Sequence, residues 1–419
     1  MSTHEPGKRT TLCPVIGGIP TVSSHLRVPL YTPDFASDPH RVYREMRRKY
    51  GSLAPVELAP GVPATLVIGH RTAVRILNDP EHFPADPRKW QKDIPADCPV
   101  LPIMEWRPNA SRSAGEEFLR YRRAVTASIN EINLYALRAT VEKIAAPLIN
   151  TFCRTGAADL IRQYAFPLTF AVINDLLGCP PDIGQRVAAG MAAIFDGIEA
   201  DEGDKMIGAA LLDLVRIKRV EPADDITSLL LRQPAELDDS EVVHQLASFY
   251  GAGIELQQNL VANTLLLILT DDRFGGSVLD GSLSTRDALD ELLFEDPPVA
   301  NLLMTYPPQP ILIDSVWLPA HQPVLISMAA CNNDPAIRTA DRTGNRSHLA
   351  WGVGPRACPA QTLAYLTARE AIDQLLDALP EMRLATSDGG LTWRPGPFHR
   401  ALATLPVTFP PTPPLNPYE

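Results

Sequence analysis

Hydrophobic residues spaced three and four positions apart dominate the chain from about residue 114 to residue 270. This spacing is close to the period of an α-helix and predicts a series of amphipathic helices. The longest one begins after the acidic cap Asp238-Asp239, is apolar on all sides in its second half, and would be about 45 Å long, so we expect it to run through the core. The predicted helices cover 39–50, 71–78, 114–129, 134–155, 166–177, 183–198, 204–219, 224–231, 240–270, 285–296 and 359–379.

Shorter apolar runs bounded by proline and glycine indicate β-strands. The predicted strands cover 53–58, 64–68, 311–313, 324–328, 383–385 and 402–407, with the last two forming a hairpin. Together the patterns predict a mainly α fold with a small β portion in a single domain over 31–408. An irregular N-terminal lead-in over 1–30 precedes this domain, and an extended proline-rich tail over 409–419 follows it.

Composition narrows the possible partners and the compartment. The chain has 419 residues, 45% of them hydrophobic, and a net charge of −11, so nucleic acid is not an expected partner. Its six cysteines are scattered without paired spacing, which suits a reducing cytoplasm. The first 20 residues contain no apolar stretch long enough for a signal peptide or a membrane anchor. We therefore expect a soluble cytoplasmic protein with no membrane partner.

A tight loop at 348–360 offers one cysteine, Cys358, as a metal ligand. Gly352 and Gly354 allow backbone angles closed to other residues and a close approach to a flat ligand. Arg356 lies two residues before the sulfur, and the predicted helix after it directs the positive end of its dipole at the cysteine; both favour a thiolate. The alternative interpretation is a small buried cysteine in a turn.

This loop resembles the cysteine pocket of the cytochrome P450 superfamily, the haem-thiolate monooxygenases. The family pattern is Phe-Gly-x-Gly-x-His/Arg-x-Cys-x-Gly. Trp351 stands for the phenylalanine, Arg356 for the basic residue and Cys358 for the axial ligand, while Ala360 replaces the last glycine. The resemblance implies a haem-thiolate domain over 31–408 that binds haem b, with the Cys358 thiolate on the iron.

The longest predicted helix carries the sequence Gly-Ala-Gly-Ile-Glu-Leu-Gln, where the family has Ala/Gly-Gly-x-Glu/Asp-Thr-Thr. The resemblance implies that Ala252 and Gly253 let the haem approach and that Glu255 helps to deliver protons. Leu256 and Gln257 replace the two threonines, and an alkyl chain cannot donate a hydrogen bond. We therefore expect proton delivery to use Glu255 with Gln257, water or a substrate group. The alternative is that Glu255 is a solvated helix acid.

The resemblance also assigns cations to the haem propionates. Arg122 and Arg356 occupy family positions, and charge-assisted hydrogen bonds from them would be strong. Phe118 stands where the family has a histidine, and Met304 stands near the position of a further arginine, so two of four partners remain. The alternative for the arginines at 120–123 is a solvated helix face.

The family motif Glu-x-x-Arg, which braces the cysteine loop, is altered in this chain. Glu291 is present, but Phe294 replaces the arginine. An unpaired buried carboxylate is costly, so we expect Glu291 to pair with Arg342. The alternative is that Glu291 is simply exposed.

The resemblance implies a monooxygenase that oxidises a small apolar or natural-product substrate with electrons from a ferredoxin and a ferredoxin reductase. An acidic redox partner would dock on a basic surface, with Arg338, Arg346 and Arg112 as candidates. The missing threonine leaves two alternatives open. One is a haem-thiolate protein with non-standard chemistry, such as peroxide use, phenol coupling or rearrangement. The other is a non-catalytic haem-binding partner or sensor.

Overall fold

The computed structural model of the chain describes residues 27–196, 200–275, 283–337, 345–385 and 390–415. Helices make up most of these ranges, as the sequence pattern predicts. They are α1 (Pro33–Ser37), α2 (Pro39–Tyr50), α3 (His70–Leu77), α4 (Leu101–Met104), α5 (Gly115–Asn130), α6 (Leu134–Asn150), α7 (Phe166–Leu176), α8 (Pro181–Asp196), α9 (Ala200–Val220), α10 (Ile226–Arg232), α11 (Asp239–Tyr250), α12 (Leu256–Thr270), α13 (Asp272–Gly275), α14 (Thr285–Glu295), α15 (Met328–Asn332) and α16 (Gln361–Ala378).

Strands in the described ranges form three small sheets. They are β1 (Val28–Pro29), β2 (Leu53–Glu57), β3 (Pro63–Val67), β4 (Ala157–Asp159), β5 (Asn301–Thr305), β6 (Ile311–Ile313), β7 (Val316–Leu318), β8 (Val324–Ser327), β9 (Arg383–Leu384) and β10 (Pro406–Thr408). The five-stranded sheet has the order β1-β2-β3-β8-β5, in which β1–β2 and β3–β8 are parallel and the other pairs antiparallel. An antiparallel sheet has the order β4-β10-β9, and β6 pairs with β7. The predicted fold class, mainly α with a small β portion, is confirmed.

The long predicted helix consists of α11 and α12 joined by a π-helical turn at Gly251–Glu255. Its predicted cap is confirmed: Asp238 accepts a hydrogen bond from the backbone N–H of Glu241, and the Glu241 carboxylate accepts one from the N–H of Asp238. Its apolar second half is buried as expected, with Val261 and Leu265 fully enclosed. A π-helical turn widens the helix by one residue and is common at functional sites. Here it coincides with the motif that carries Glu255.

The ends of the domain are more ordered than the sequence predicts. Val28–Pro29, inside the predicted lead-in, pairs with β2. The predicted hairpin is confirmed by the pairing of Leu384 with Val407, but β10 also pairs with β4, which the sequence analysis missed. A strand of three residues is too short to show an alternating pattern. In the tail, the backbone of Leu415 exchanges hydrogen bonds with the side chain of Asn150. No described helix has the length and hydropathy needed to cross a membrane.

Candidate active site

The loop that carries Cys358 is closed by its own backbone. The N–H of Cys358 donates to the carbonyl oxygen of Trp351 at 2.7 Å. Gly352 and Gly354 have φ angles of 67° and 73°, a region that glycine occupies without strain. A Cβ atom on Gly354 would lie 2.7 Å from the carbonyl oxygen of Leu77. The loop therefore lies directly against the end of α3.

Cys358 is half-buried just before α16. Burial raises the pKa of its thiol, while the backbone N–H of Ala360 and the charge of Arg122 act in the opposite direction. The sequence predicts a cation near the sulfur; in the structure this cation is Arg122 rather than Arg356. In the protein by itself, the effect of burial on the pKa of the thiol is larger than the effect of this charge. A metal ion bonded to the sulfur would reverse this balance, because a coordinating thiol loses its proton.

Two arginines lie beside the cysteine loop. Arg122 donates to the carbonyl oxygen of Ala357, and Arg356 donates to that of Ala110 at 3.1 Å. The guanidinium of Arg356 also stacks on the ring of Phe118, 4.0 Å from its centroid. Phe118, which replaces a histidine of the family, therefore orients Arg356 by a cation–π contact.

The two guanidinium groups fit an anionic ligand. Among the described residues, neither forms an ion pair with a carboxylate. Burial and repulsion from Arg122 lower the pKa of Arg356 to about 10. Nε of Arg356 and Nε1 of Trp351 are buried without a hydrogen-bond partner. Charges that are partly removed from water are normally paired, so the residues present fit the carboxylates of the haem group that the resemblance implies.

The small residues of the long helix lie on different faces of its π-helical turn. Gly251 and Ala252 are exposed, although residues 257–265 that follow them are all buried. Small exposed residues at this turn fit the close approach of a flat ligand. Gly253 faces α7, where an added Cβ atom would collide with the side chain of Ile173. Its small size is needed for helix packing, and its contact with a cofactor stays a prediction.

Three side chains hold the carboxylate of Glu255 at the end of the π-helical turn. Arg394 forms an ion pair with Oε1. Gln258 donates from Nε2 to Oε2 at 2.8 Å, and Asn259 donates from Nδ2 to Oε1 at 3.1 Å. The side chain of Glu255 is only 23% exposed. Glu255 is therefore a fixed member of a polar cluster and not a solvated helix acid.

Gln257 points toward the helix that follows the cysteine. It is buried, and its Nε2 donates to the carbonyl oxygen of Ala364 on α16 at 2.9 Å. The side chain thus ties α12 to α16. Its role in proton delivery stays a prediction, and that role would require this hydrogen bond to open.

The sequence analysis missed Arg394 and His399. Both lie in the terminal segment, residues 393–402, which turns back on itself through a bridge between Trp393 and Leu402. A second bridge, between Val299 and His399, holds the segment against the start of β5. The sequence did contain a signal for these two residues: two arginines and a histidine stand among prolines in an otherwise apolar end of the chain. Such a segment predicts a loop, and loops on a rigid scaffold often carry functional residues.

The brace expected of Glu291 is formed by the residue before it. Asp290 is buried; its Oδ2 lies 2.7 Å from Nε of Arg346, and its Oδ1 accepts a hydrogen bond from the hydroxyl of Tyr365 at 2.6 Å. Tyr365 belongs to α16, and Arg346 precedes the cysteine loop. Asp290 therefore joins α14 to both ends of that loop.

Aromatic packing stands where the family has an arginine. The ring of Phe294 meets that of His348 edge to face, with centroids 5.1 Å apart. Burial lowers the pKa of His348 to about 4, so this imidazole is neutral at pH 7. Glu291 pairs with Arg273 at 3.5 Å. Its predicted partner, Arg342, lies outside the described residues.

Known proteins resemble the chain over most of its length. No model of a protein family matches it. The cytochrome P450 monooxygenase PikC of Streptomyces venezuelae is 29% identical over 400 residues, which cover 90% of this chain and 92% of PikC. The vitamin D(3) 25-hydroxylase of Pseudonocardia autotrophica is 28% identical over 400 residues, which cover 91% of this chain and 96% of that enzyme.

Solved structures share the fold. CYP154C4 from Streptomyces sp. ATCC 11861 superposes with a TM-score of 0.83 at 25% identity and covers 92% of this chain and 98% of its own. CYP154A1 from Streptomyces coelicolor A3(2) gives a TM-score of 0.78 at 25% identity, with 91% of this chain and 100% of its own covered. Because likeness in sequence and in fold extends over nine tenths of the chain, this protein belongs to the cytochrome P450 superfamily of haem-thiolate oxidoreductases.

Proposed function

We propose that the protein is a haem-thiolate monooxygenase that binds haem b through Cys358 and oxidises a small apolar natural product. The observation that carries the proposal is the pair Arg122 and Arg356, two half-buried cations beside the cysteine with no carboxylate partner among the described residues. Haem offers a matching partner to each of these groups: its iron would bind the cysteine sulfur, and its two propionates would pair with the two arginines. Bound to a thiolate, the haem iron would activate dioxygen for insertion into a C–H bond.

The residues of the chain prepare this site in three ways. The glycine loop presents the Cys358 sulfur, and Asp290 braces that loop from both sides. Arg122 and Arg356 would hold the propionates by charge-assisted hydrogen bonds. Ala252 is a small exposed residue that would let the haem approach the long helix, and Glu255 holds a carboxylate at the same helix turn.

The substrate class follows from the names of the relatives. They include a mycinamicin IV hydroxylase/epoxidase of Micromonospora griseorubida and a 6-deoxyerythronolide B hydroxylase of Saccharopolyspora erythraea. A small apolar or natural-product substrate is the class that we propose for this chain. Binding of a candidate can be measured by the change that it produces in the haem spectrum.

We propose that electrons come from a ferredoxin and its reductase. Of the three arginines predicted to dock the ferredoxin, Arg346 is 48% exposed and pairs with Asp290, while Arg112 donates to the carbonyl oxygen of Ile103. Arg338 lies outside the described residues. Docking by charge predicts that the reduction rate falls as salt is added.

The first test is the visible spectrum of the reduced protein with carbon monoxide. We expect a far-red-shifted Soret band, the sign of thiolate ligation. Cys358→Ala should abolish this band, whereas Cys98→Ala, a buried cysteine in the N-terminal core, should retain it. A wild-type band at the shorter wavelength of a neutral ligand, or a red-shifted band in the Cys358 variant, would contradict the proposal.

A second candidate function uses peroxide directly. Leu256 stands where a threonine hydroxyl would donate a hydrogen bond, which favours chemistry that depends less on that donor. Product formation coupled to NADPH consumption would support the monooxygenase. Turnover with hydrogen peroxide alone would support the peroxide user, and turnover with neither would favour the haem-binding partner or sensor.

A further inference from the structure

A small cavity lies between the terminal segment and α2. It has a volume of about 10 Å³, measured as space for the centre of a water molecule, and its lining includes Tyr43, Arg394, His399 and Arg400. A cavity of this size holds about one water molecule when two or more polar groups face it. The cavity therefore meets the size requirement for a single buried water.

Two polar atoms at this cavity have no partner in the protein. Nε of Arg394 and Nε2 of His399 are both buried and form no hydrogen bond. Buried polar atoms are rarely left in this state, and ordered water is the usual partner where protein groups are absent. Both residues line the cavity, so a water there is the candidate partner for these atoms.

The same two side chains lead to Glu255. Arg394 forms the ion pair with its Oε1. The charge of Glu255 raises the pKa of His399, although burial and the charge of Arg394 lower it overall. Arg400, which also lines the cavity, pairs with Asp296 at 2.7 Å. Two lining arginines therefore connect the cavity to carboxylates: Arg394 to Glu255 on the long helix, and Arg400 to Asp296.

We propose that Arg394 is the positioning residue for Glu255, and that His399 and one buried water form the route by which protons reach that carboxylate. The inference rests on the proposed monooxygenase function and supplies a proton route in place of the hydroxyl that Leu256 lacks. Each proton that passes through Glu255 comes from His399, and the imidazole takes up a proton from the buried water as it gives one on. No atom changes oxidation state in these transfers.

Segment 393–402 is well placed for this role because it is fastened to the long helix at a second point. Asn263 on α12 donates from Nδ2 to the carbonyl oxygen of Arg400 at 2.8 Å. The N–H of Arg394 donates to the carbonyl oxygen of Ala401 at 2.8 Å. The segment and the helix therefore keep their relative position, and His399 stays near Glu255.

The charged groups that bear on this route come from several elements. Arg394 and Arg400 belong to the segment itself, Glu255 to the long helix, and Asp296 to the residue after α14. His40 on α2 lies 3.6 Å from Asp296. Because these neighbours also carry charge, a change in rate with pH is assigned to His399 only when it is lost in the His399 variant.

The first test measures the titration of His399 in the holoprotein without turnover. With carbon-13-labelled histidine, the His399 signal is assigned as the one missing from His399→Gln. Glu255→Gln should lower the pKa of His399 by about one unit, because it removes the nearby negative charge. An unchanged titration would overturn the proposal.

The second test measures how fast the holoprotein oxidises NADPH through a surrogate ferredoxin and reductase, because reduction of dioxygen takes up protons from the solvent. His399→Gln should slow this NADPH oxidation about tenfold and flatten its pH profile, as loss of a proton carrier does. Arg394→Gln should behave similarly and Arg394→Lys should recover part of the rate. His82→Gln, at an exposed histidine, is the matched control and should match the wild type.

The outcomes separate the two proposals. An altered carbon monoxide spectrum in the wild-type protein would count against the proposed function. A normal spectrum with wild-type rates and pH profile in His399→Gln would overturn only the proton route. Equal losses in both Arg394 variants would overturn its positioning role.

Discussion

Replacing Phe294 with arginine restores the family motif on α14, yet we expect it to destabilise this protein. In the structure no site is left for the restored guanidinium. Glu291 already pairs with Arg273, and both oxygens of Asp290 are bound by Arg346 and Tyr365. The substitution therefore exchanges a packed ring for a buried cation without a free partner.

The magnitude has two parts. Phe294 is 4% exposed and packs against His348, so loss of the ring costs about 3 kcal/mol. Desolvation of the guanidinium costs several kcal/mol. Asp290 lies four positions earlier on the helix, and a partial interaction of the new guanidinium with its carboxylate offsets part of that cost. We expect a net loss of about 4 kcal/mol in the free energy of unfolding.

Urea unfolding followed by circular dichroism measures this loss. The free energy of unfolding falls linearly with urea concentration, and the slope increases with chain length. With a slope above about 3 kcal/mol/M, the midpoint of urea unfolding should fall by about 1 M. Phe294→Leu keeps the site apolar and is the control, with an expected loss of about 1.5 kcal/mol. An arginine variant as stable as the leucine variant would refute the reasoning, because it would show that Asp290 or Glu291 can accept the new cation.

Three further predictions concern other sites. Gly354→Ala should lower the haem content per protein more than Gly51→Ala. Both glycines have positive φ, but only at Gly354 would an added Cβ atom lie 2.7 Å from a backbone atom. Equal losses in the two variants would show that φ alone matters. Leu256→Thr should raise product formed per NADPH while Leu256→Val should not, since only threonine adds a donor; no difference would place proton delivery elsewhere. The pKa of Glu241 is held at about 2, chiefly by hydrogen bonds from Arg120, so its stabilisation is present above about pH 4.5 and is lost as the pH falls toward 2. Glu241→Gln should therefore cost about 1 kcal/mol at pH 7, allowing for the exposure of Arg120, and should flatten the acid side of the stability profile; an unchanged profile would contradict the assignment.

Much of the architecture could be predicted from the sequence because the relevant signals are local. The helical period around Val261 and Leu265 predicts a buried helix without reference to the rest of the chain. The glycines of the cysteine loop predict positive φ angles, and Gly352 and Gly354 have them. The capping pattern at Asp238 lies within four residues and forms as expected. The local pattern could not reveal β4, whose three residues are a strand only because β10 lies beside them.

The partners of the charged side chains were decided by the tertiary structure. Asp290 rather than Glu291 is the buried carboxylate that meets Arg346, because a shift of one residue on a helix turns a side chain by about 100°. Glu255 is 139 positions from Arg394 in the sequence, and nothing local connects them. An ion pair depends on which groups the fold brings within a few ångströms in a poorly solvated place, and that is a property of packing. The sequence by itself therefore determined the helices, the cysteine loop and the family, and the tertiary structure decided which groups hold the carboxylate beside the active site.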